Sequence, residues 1–288
     1  MMLNIDHLNI SYNHTPAVQD LSLAVGAGQI VGIAGESGSG KSTMLRSITG
    51  LLGKEGKITS GDIWFENRQL QLLGEKEMEK IRGKDISMIF QQPESSFDPV
   101  TTIGKQFCEA LGVHEKISKK EALGRGMELL KKVHFPDPER IMDSYAFELS
   151  GGMCQRAAIA LGMVCNPKLL LADEPTSALD VTVQSQTADA LMELRENFGT
   201  AILMVTHNIG VIAYMADYVG IMYNGKLVEW GKKEEIQLEA EHPYTKALLR
   251  AVPRFGMSYE KQPPYIADTE NEKRISVSET HWNLGGGK

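Results

Sequence analysis

Cysteine is scarce in this chain of 288 residues: Cys108, Cys154 and Cys165 stand apart, with neither a Cys-x-x-Cys pair nor metal-ligand spacing. They read as reduced, mostly packed thiols of a cytosolic protein, which excludes a disulfide scaffold. No apolar run approaches the ~20 residues that a membrane helix needs. Residues 1–9 have neither a basic segment nor an apolar one of the kind that directs export, so the chain is expected to be neither exported nor membrane-spanning by itself. Positive charge is also in short supply. Lys and Arg number 30 against 37 Asp and Glu, a formal net charge of -7, whereas a general nucleic-acid surface needs clustered excess cations to displace counterions. The basic clusters at 116–120 and 131–132 read as solvated helix faces. Sustained heptads are absent, which removes a long coiled coil.

What is present is a chain longer than the commonest single domain, so one large α/β domain with appendages, or two domains, is expected. Leu3, Ile5, Leu8 and Ile10, then Val18, Leu21, Leu23 and Val25, have nearly alternating apolar spacing and predict an antiparallel β region. A strand at 30–34 follows the turn Gly26-Ala27-Gly28. A helix from about Lys41 is expected to run on to Leu52, with Gly53 to Gly56 as its break and a strand at 61–65 after it. From Gln91 the periodicity becomes helical, punctuated by Pro93, Pro99, Pro136 and Pro138. Apolar runs at 169–172 and 201–205, separated by a helical stretch at 181–198 that Gly199 closes, look like buried parallel strands. Asn224-Gly225 between β-rich flanks predicts a hairpin. Residues 256–288, polar and Pro-rich, are expected to form an extension or partly disordered tail.

The run Gly35-Glu36-Ser37-Gly38-Ser39-Gly40-Lys41-Ser42 reads G-x-x-x-x-G-K-S directly after the apolar strand, with Thr43 next to it. Its glycines remove Cβ atoms, so that backbone N–H groups can turn inward on a polyphosphate, and the following helix adds its positive end. Lys41 would reach the β/γ-phosphates and Ser42 would offer its hydroxyl to Mg²⁺. Asp173 and Glu174 supply two carboxylates where a buried strand emerges: Asp173 suits Mg²⁺, Glu174 an attacking water. His207 ends the neighbouring strand. Leu149-Ser150-Gly151-Gly152-Met153 opens a second anion-receptive helix N-terminus, and one nucleotide rarely needs two such grips in one chain.

On these motifs the chain resembles the ATP-binding subunit of an ABC transporter, whose LSGGQ signature grips the ATP held by the opposite subunit. Met153 stands in place of the glutamine, which leaves Ser150, Gly151 and Gly152 in the matching positions. The resemblance spans about residues 3–253. It implies a P-loop NTPase fold of the ABC type, α/β, with an antiparallel β region and a helical subdomain. The ATP-binding core would comprise 1–90 and 166–235, the helical subdomain with the signature 91–165, and a C-terminal extension 236–288. The implied cofactors are ATP and Mg²⁺.

It also implies roles: Tyr12 stacking on adenine, Gln91 (or its neighbour Gln92) contacting Mg²⁺ and linking the nucleotide to membrane subunits, Ser177-Ala178-Leu179-Asp180 as the D-loop, and His207 at the γ-phosphate. Catalytic roles fall to Glu174, His207, Lys41 and Gln91. Nucleotide contacts fall to Tyr12, Gly35, Ser37, Gly38, Ser39, Gly40, Lys41, Ser42, Thr43, Ser150, Gly151 and Gly152, and metal contacts to Ser42, Gln91 and Asp173.

The run from Glu241 through His242-Pro243-Tyr244-Thr245 to Pro253 looks like the HPYT segment of the dipeptide, oligopeptide and nickel importers. With no cysteine after Cys165, an iron–sulfur cluster in the tail is not supported. The implied function is ATP hydrolysis coupled to uptake of peptides or of nickel and metal chelates. The implied partners are a second ABC ATPase subunit, a heterodimer being preferred to a homodimer, two transmembrane permease subunits and, indirectly, an extracytoplasmic binding protein. No nucleic acid is implied. The implied location is the cytoplasmic face of the cell membrane. The competing reading is a soluble ABC-type ATPase acting on nucleic acid or ribosomes, against which stand the single cassette and the acidic balance. A phosphotransferase would leave the LSGGM run without a purpose.

Overall fold

The computed structural model of the protein describes residues 1–177, 179–250 and 273–285. The first part of the chain contains β1 (Leu3–Tyr12), β2 (Thr15–Val25), β3 (Ile30–Ala34), α1 (Lys41–Ile48), β4 (Gly56–Phe65), β5 (Arg68–Gln69), α2 (Glu75–Ile81) and β6 (Ile86–Ile89). Four helices follow: α3 (Ile103–His114), α4 (Lys119–Lys132), α5 (Pro138–Asp143) and α6 (Gly151–Met163). The chain then alternates through β7 (Leu169–Asp173), α7 (Val181–Phe198), β8 (Ala201–Thr206), α8 (Ile209–Met215) and β9 (Tyr218–Tyr223). It continues with β10 (Lys226–Lys232), α9 (Lys233–Glu239), α10 (Pro243–Arg250), β11 (Lys273–Ser276) and β12 (Trp282–Gly285).

Two sheets result. One is antiparallel, in the order β2-β1-β4-β5. The other runs β11-β12-β10-β9-β3-β8-β7-β6, and its five strands from β9 to β6 are parallel. The parallel strands read as continuous apolar runs because both of their faces are covered. Side chains alternate between the faces, so Val31, Ile33, Leu169, Leu171, Leu203 and Val205 join the antiparallel sheet and α1 in one core. Ile30, Ala34, Leu170, Ala172, Ile202 and Met204 join the helices in a second core. In β1 the buried positions skip from Ile5 to Leu8 because His7 has φ 46, a bulge that shifts the register against β2.

Two boundaries differ from the sequence reading. Helix α1 stops at Ile48 rather than reaching Leu52, since Thr49 caps it and Gly50 turns left-handed at φ 68. The strand after it begins at Gly56, because exposed polar residues there pair with β1 down to Tyr12. Part of the polar stretch expected as an extension is also built into the fold. Strand β12 pairs antiparallel with β10 through Glu229 and Trp230, and β11 closes the hairpin. The remainder of that expected tail, residues 256–272 and 286–288, lies outside the described residues, as does Ala178 of the expected D-loop.

Candidate active site

The parallel order β9-β3-β8-β7-β6 sets the C-terminal ends of five strands side by side, where an open α/β sheet binds its ligands. From β3 the chain leaves Ala34 into residues 35–40 and enters α1 at Lys41. Two glycines there are compulsory. A Cβ on Gly35 would strike the Met222 carbonyl oxygen, and Gly40, at φ 99, would put one 2.5 Å from the Ala17 carbonyl oxygen. Gly38, at φ 83, faces open space. The loop therefore presents bare backbone, with Ser37 exposed and Ser39 buried beneath.

Lys41 is buried, and its ammonium donates to the Gly35 and Glu36 carbonyl oxygens, both at 2.7 Å. Burial pulls its pKa down from the usual lysine range, while Glu174, Asp173 and Glu36 pull it back up. Ser42 donates to Asp173 Oδ1 at 2.7 Å, which ties the start of α1 to the end of β7. Burial raises the Asp173 pKa, and the Ser42 hydrogen bond opposes that rise. A hydroxyl beside a carboxylate is a hard-oxygen pair of the kind Mg²⁺ takes, so these residues fit that ion. Thr43 follows in the first turn of α1, partly buried.

Glu174 follows Asp173 with φ 51, a left-handed backbone that costs a non-glycine residue on the order of 1–3 kcal/mol. That turn swings its carboxylate across β8. Oε2 accepts from Thr206 Oγ1 at 3.0 Å, and Oε1 accepts from the His207 backbone N–H at 3.0 Å. The His207 Nδ1 also lies 3.0 Å from Oε1. A carboxylate only accepts, so the imidazole carries its proton on Nδ1 and keeps Nε2 for a further partner. Thr206 is buried, and its Oγ1 accepts from Asn208 N–H at 3.0 Å, which commits its own proton to Glu174. Sequence reading missed Thr206. Its one signal is a hydroxyl at the last position of an otherwise apolar strand.

Gln91 leaves the sheet two residues after Ile89, which pairs with Ala172, so it emerges beside Asp173 and Glu174. Both Gln91 and Gln92 are exposed. Tyr12 ends β1 opposite Thr15 and Gly56, half-buried, on the hairpin whose Ala17 abuts Gly40. Ser150 is elsewhere in the fold. It caps α6, its hydroxyl accepting from its own helix at Met153 N, 3.4 Å away. Ser150 and Gly151 are exposed, and Gly152 packs against Val183. Among the described residues no hydrogen bond joins Ser150 to the phosphate loop. Asp180 caps α7 by accepting from Val183 N at 3.0 Å, and Ser177 donates to the Glu174 carbonyl oxygen at 3.1 Å.

One group can thus cradle a polyphosphate and polarise a water, and a second, exposed group can grip an anion outside its own chain. Lys41→Ala is expected to abolish tight Mg-ATP binding, because it removes the one compact cation set among the loop's amides. Isothermal titration reads this directly. Near-normal affinity in a folded variant would take Lys41 out of that role.

Residues 18–177 match the family described as ABC transporter, and residues 228–276 match the one described as oligopeptide/dipeptide transporter, C-terminal region. The dipeptide transport ATP-binding protein DppD of Haemophilus influenzae is 43% identical over 259 residues, covering 88% of this chain and 78% of its own. The oligopeptide transport ATP-binding protein AppD of Bacillus subtilis is 47% identical over 239 residues, covering 83% and 73%. Among solved structures, the dimeric, ADP- and Pi-bound post-hydrolysis state of the ATP-binding cassette MJ0796 superposes with a TM-score of 0.72 at 31% identity. It covers 81% of this chain and 99% of that one.

Proposed function

The chain belongs to the ABC transporter ATP-binding family, and from that premise we propose that it drives an importer of peptides, with nickel or metal chelates as the alternative cargo. It is an ABC-type ATPase, with the α/β fold of the cassette. The peptide reading draws on relatives named for dipeptide and oligopeptide transport and on the matching C-terminal region. The same relatives disfavour the nucleic-acid or ribosome alternative.

The observation that carries the mechanism is the separation, within one chain, of a phosphate cradle from an exposed signature cap. Lys41, Ser42, Asp173, Glu174 and His207 are linked around the strand ends, whereas Ser150 and Gly151 face outward on α6. In our reading two cassettes meet face to face, a heterodimer by preference, with two ATP molecules between them. Each is held by the loop 35–43 of one chain and by Ser150, Gly151 and Gly152 of the other, with Tyr12 against the adenine. Ser42 and Asp173, with Gln91, would hold Mg²⁺, which when bound neutralises charge on the phosphate oxygens.

Lys41 moves its donors from the loop carbonyls to the β/γ-phosphates. Glu174 accepts the proton of the water whose oxygen attacks the γ-phosphorus as the bond to the β-phosphate oxygen breaks, and His207 as the imidazolium donates from Nε2 to the γ-phosphate while Nδ1–H stays on Glu174. Closure assembles the site and hydrolysis releases it. Among the described residues no helix is long and apolar enough to cross a membrane. The work is therefore assigned to two permease subunits, fed by an extracytoplasmic binding protein, with this chain docked on their cytoplasmic face through the region around Gln91 and the subdomain 91–165.

Ser150→Arg tests the arrangement. The variant is expected to bind ATP at its own loop yet to disrupt the site that it completes on its partner. Site-specific crosslinking from position 150 should label the nucleotide held by the other chain. Labelling of the nucleotide held by Lys41 of the same chain would sink the face-to-face reading.

A further inference from the structure

The phosphate loop is held from behind by a residue far away in sequence. Glu36 N–H donates to the Tyr244 phenol oxygen at 3.1 Å, across a separation of 208 residues. Tyr244 lies on α10, 2% exposed, and its ring packs on that of Tyr223 with centroids 4.5 Å apart. Tyr223 ends β9, directly before the turn at Asn224 and Gly225, and Gly225 N–H donates to the Ser39 carbonyl oxygen at 3.2 Å. The loop is thus gripped near both ends, by α10 at Glu36 and by the hairpin tip at Ser39.

Helix α10 is itself fixed. Glu229, fully buried on β10, accepts from Glu241 N–H at 2.7 Å, from His242 N–H at 3.3 Å and from His281 Nε2 at 2.8 Å. One carboxylate therefore ties the entry to α10 and the hairpin β11–β12 to the central sheet. Burial pushes the Tyr244 phenol up to about 12, so it stays neutral throughout the working pH range of an enzyme.

We propose that Tyr244 is a positioning residue for nucleotide binding, and that the C-terminal segment bearing it braces the phosphate loop. The inference rests on the ATP-binding reading of that loop and goes beyond it, since it gives the C-terminal segment a part in nucleotide affinity. The Gly35–Glu36 peptide is the link, because the Gly35 carbonyl and the Glu36 N–H share one rigid plane. Its N–H is turned out to Tyr244 while its carbonyl oxygen, that of Gly35, receives the Lys41 ammonium at 2.7 Å. With the N–H anchored, the peptide cannot rotate, and the carbonyl that parks Lys41 keeps its place. A cradle of backbone amides fixed beforehand loses less conformational freedom when a polyphosphate enters. Without the phenol oxygen the N–H is left in a half-buried position seeking another acceptor, and the loop samples shapes that do not bind.

Tyr244→Phe keeps the ring, its burial and its tilted contact with Tyr223, and removes only the oxygen. Isothermal titration of the full chain with Mg-ATP is expected to show a Kd raised about 3- to 10-fold, the range for one lost hydrogen bond. In the assembled transporter the KM for ATP should rise by a similar factor with kcat unchanged, and the melting temperature of the free chain should barely move. An unchanged Kd in the folded variant would overturn the inference, and so would a lower melting temperature with Kd unaltered, which would reduce Tyr244 to packing α10. A wild-type chain that binds no Mg-ATP would overturn the ATPase reading along with this one, whereas the other two outcomes leave that reading standing.

Discussion

Glu174→Gln is expected to cut phosphate release by ~10²-fold or more while leaving ATP binding intact. The amide matches the carboxylate in size but cannot take up a proton from water. Three donors converge on Glu174, from Thr206 Oγ1 on one oxygen and from the His207 backbone N–H and Nδ1 on the other, so the replacement amide keeps its oxygen toward His207 and turns its NH₂ group to the Thr206 hydroxyl. Thr206 can resolve this by turning its hydroxyl proton away and accepting the amide on the lone pair that Asn208 N–H leaves open, which keeps the strand end folded. The variant should then accumulate ATP in a closed pair of cassettes, visible as a nucleotide-dependent dimer in size-exclusion chromatography. Hydrolysis at the wild-type rate, with the proper partner present, would disqualify Glu174 as the base.

That three-donor arrangement also separates what the sequence discloses from what it withholds. Gly35, Gly40, Lys41 and Ser42 are legible because a phosphate cradle needs glycine at fixed offsets, and the close approaches of Met222 and Ala17 to those glycines explain the need. The strands at 169–173 and 201–206 are legible because burial on both faces demands an unbroken apolar run. The hairpin at Asn224 and Gly225 announces itself through two left-handed residues, φ 46 and 81.

Thr206 is different. Nothing local distinguishes a threonine that orients a carboxylate from one that merely ends a strand, because its partner lies 32 residues away. The hairpin β11–β12 is hidden for a related reason. All four residues of β11 are exposed, so no alternation marks it, and what seats it is Arg274 over the Trp282 ring at 3.9 Å and the burial of His281 against Glu229. Tyr244 is visible as part of a recognisable segment, but its grip on Glu36 is a tertiary fact that no spacing encodes. The subdomain boundaries at residues 90 and 165 fall just after β6 and after α6, at loops flanking the four-helix stretch. They remain our proposal for how the cassette divides.

In our reading this chain carries half of two ATP sites and completes neither alone. The rate of phosphate release tests this, measured from the purified chain over a range of concentrations, then with a second cassette, then with the permease pair reconstituted. Stabilisation supplied in trans is worth ~10³-fold or more in related phosphoryl-transfer systems. The lone chain is therefore expected to be largely monomeric without ATP and nearly inactive, with a gain of that order once its partners are present. Full activity from the isolated monomer, independent of concentration, would contradict this reading and point to a self-contained phosphoryl-transfer enzyme.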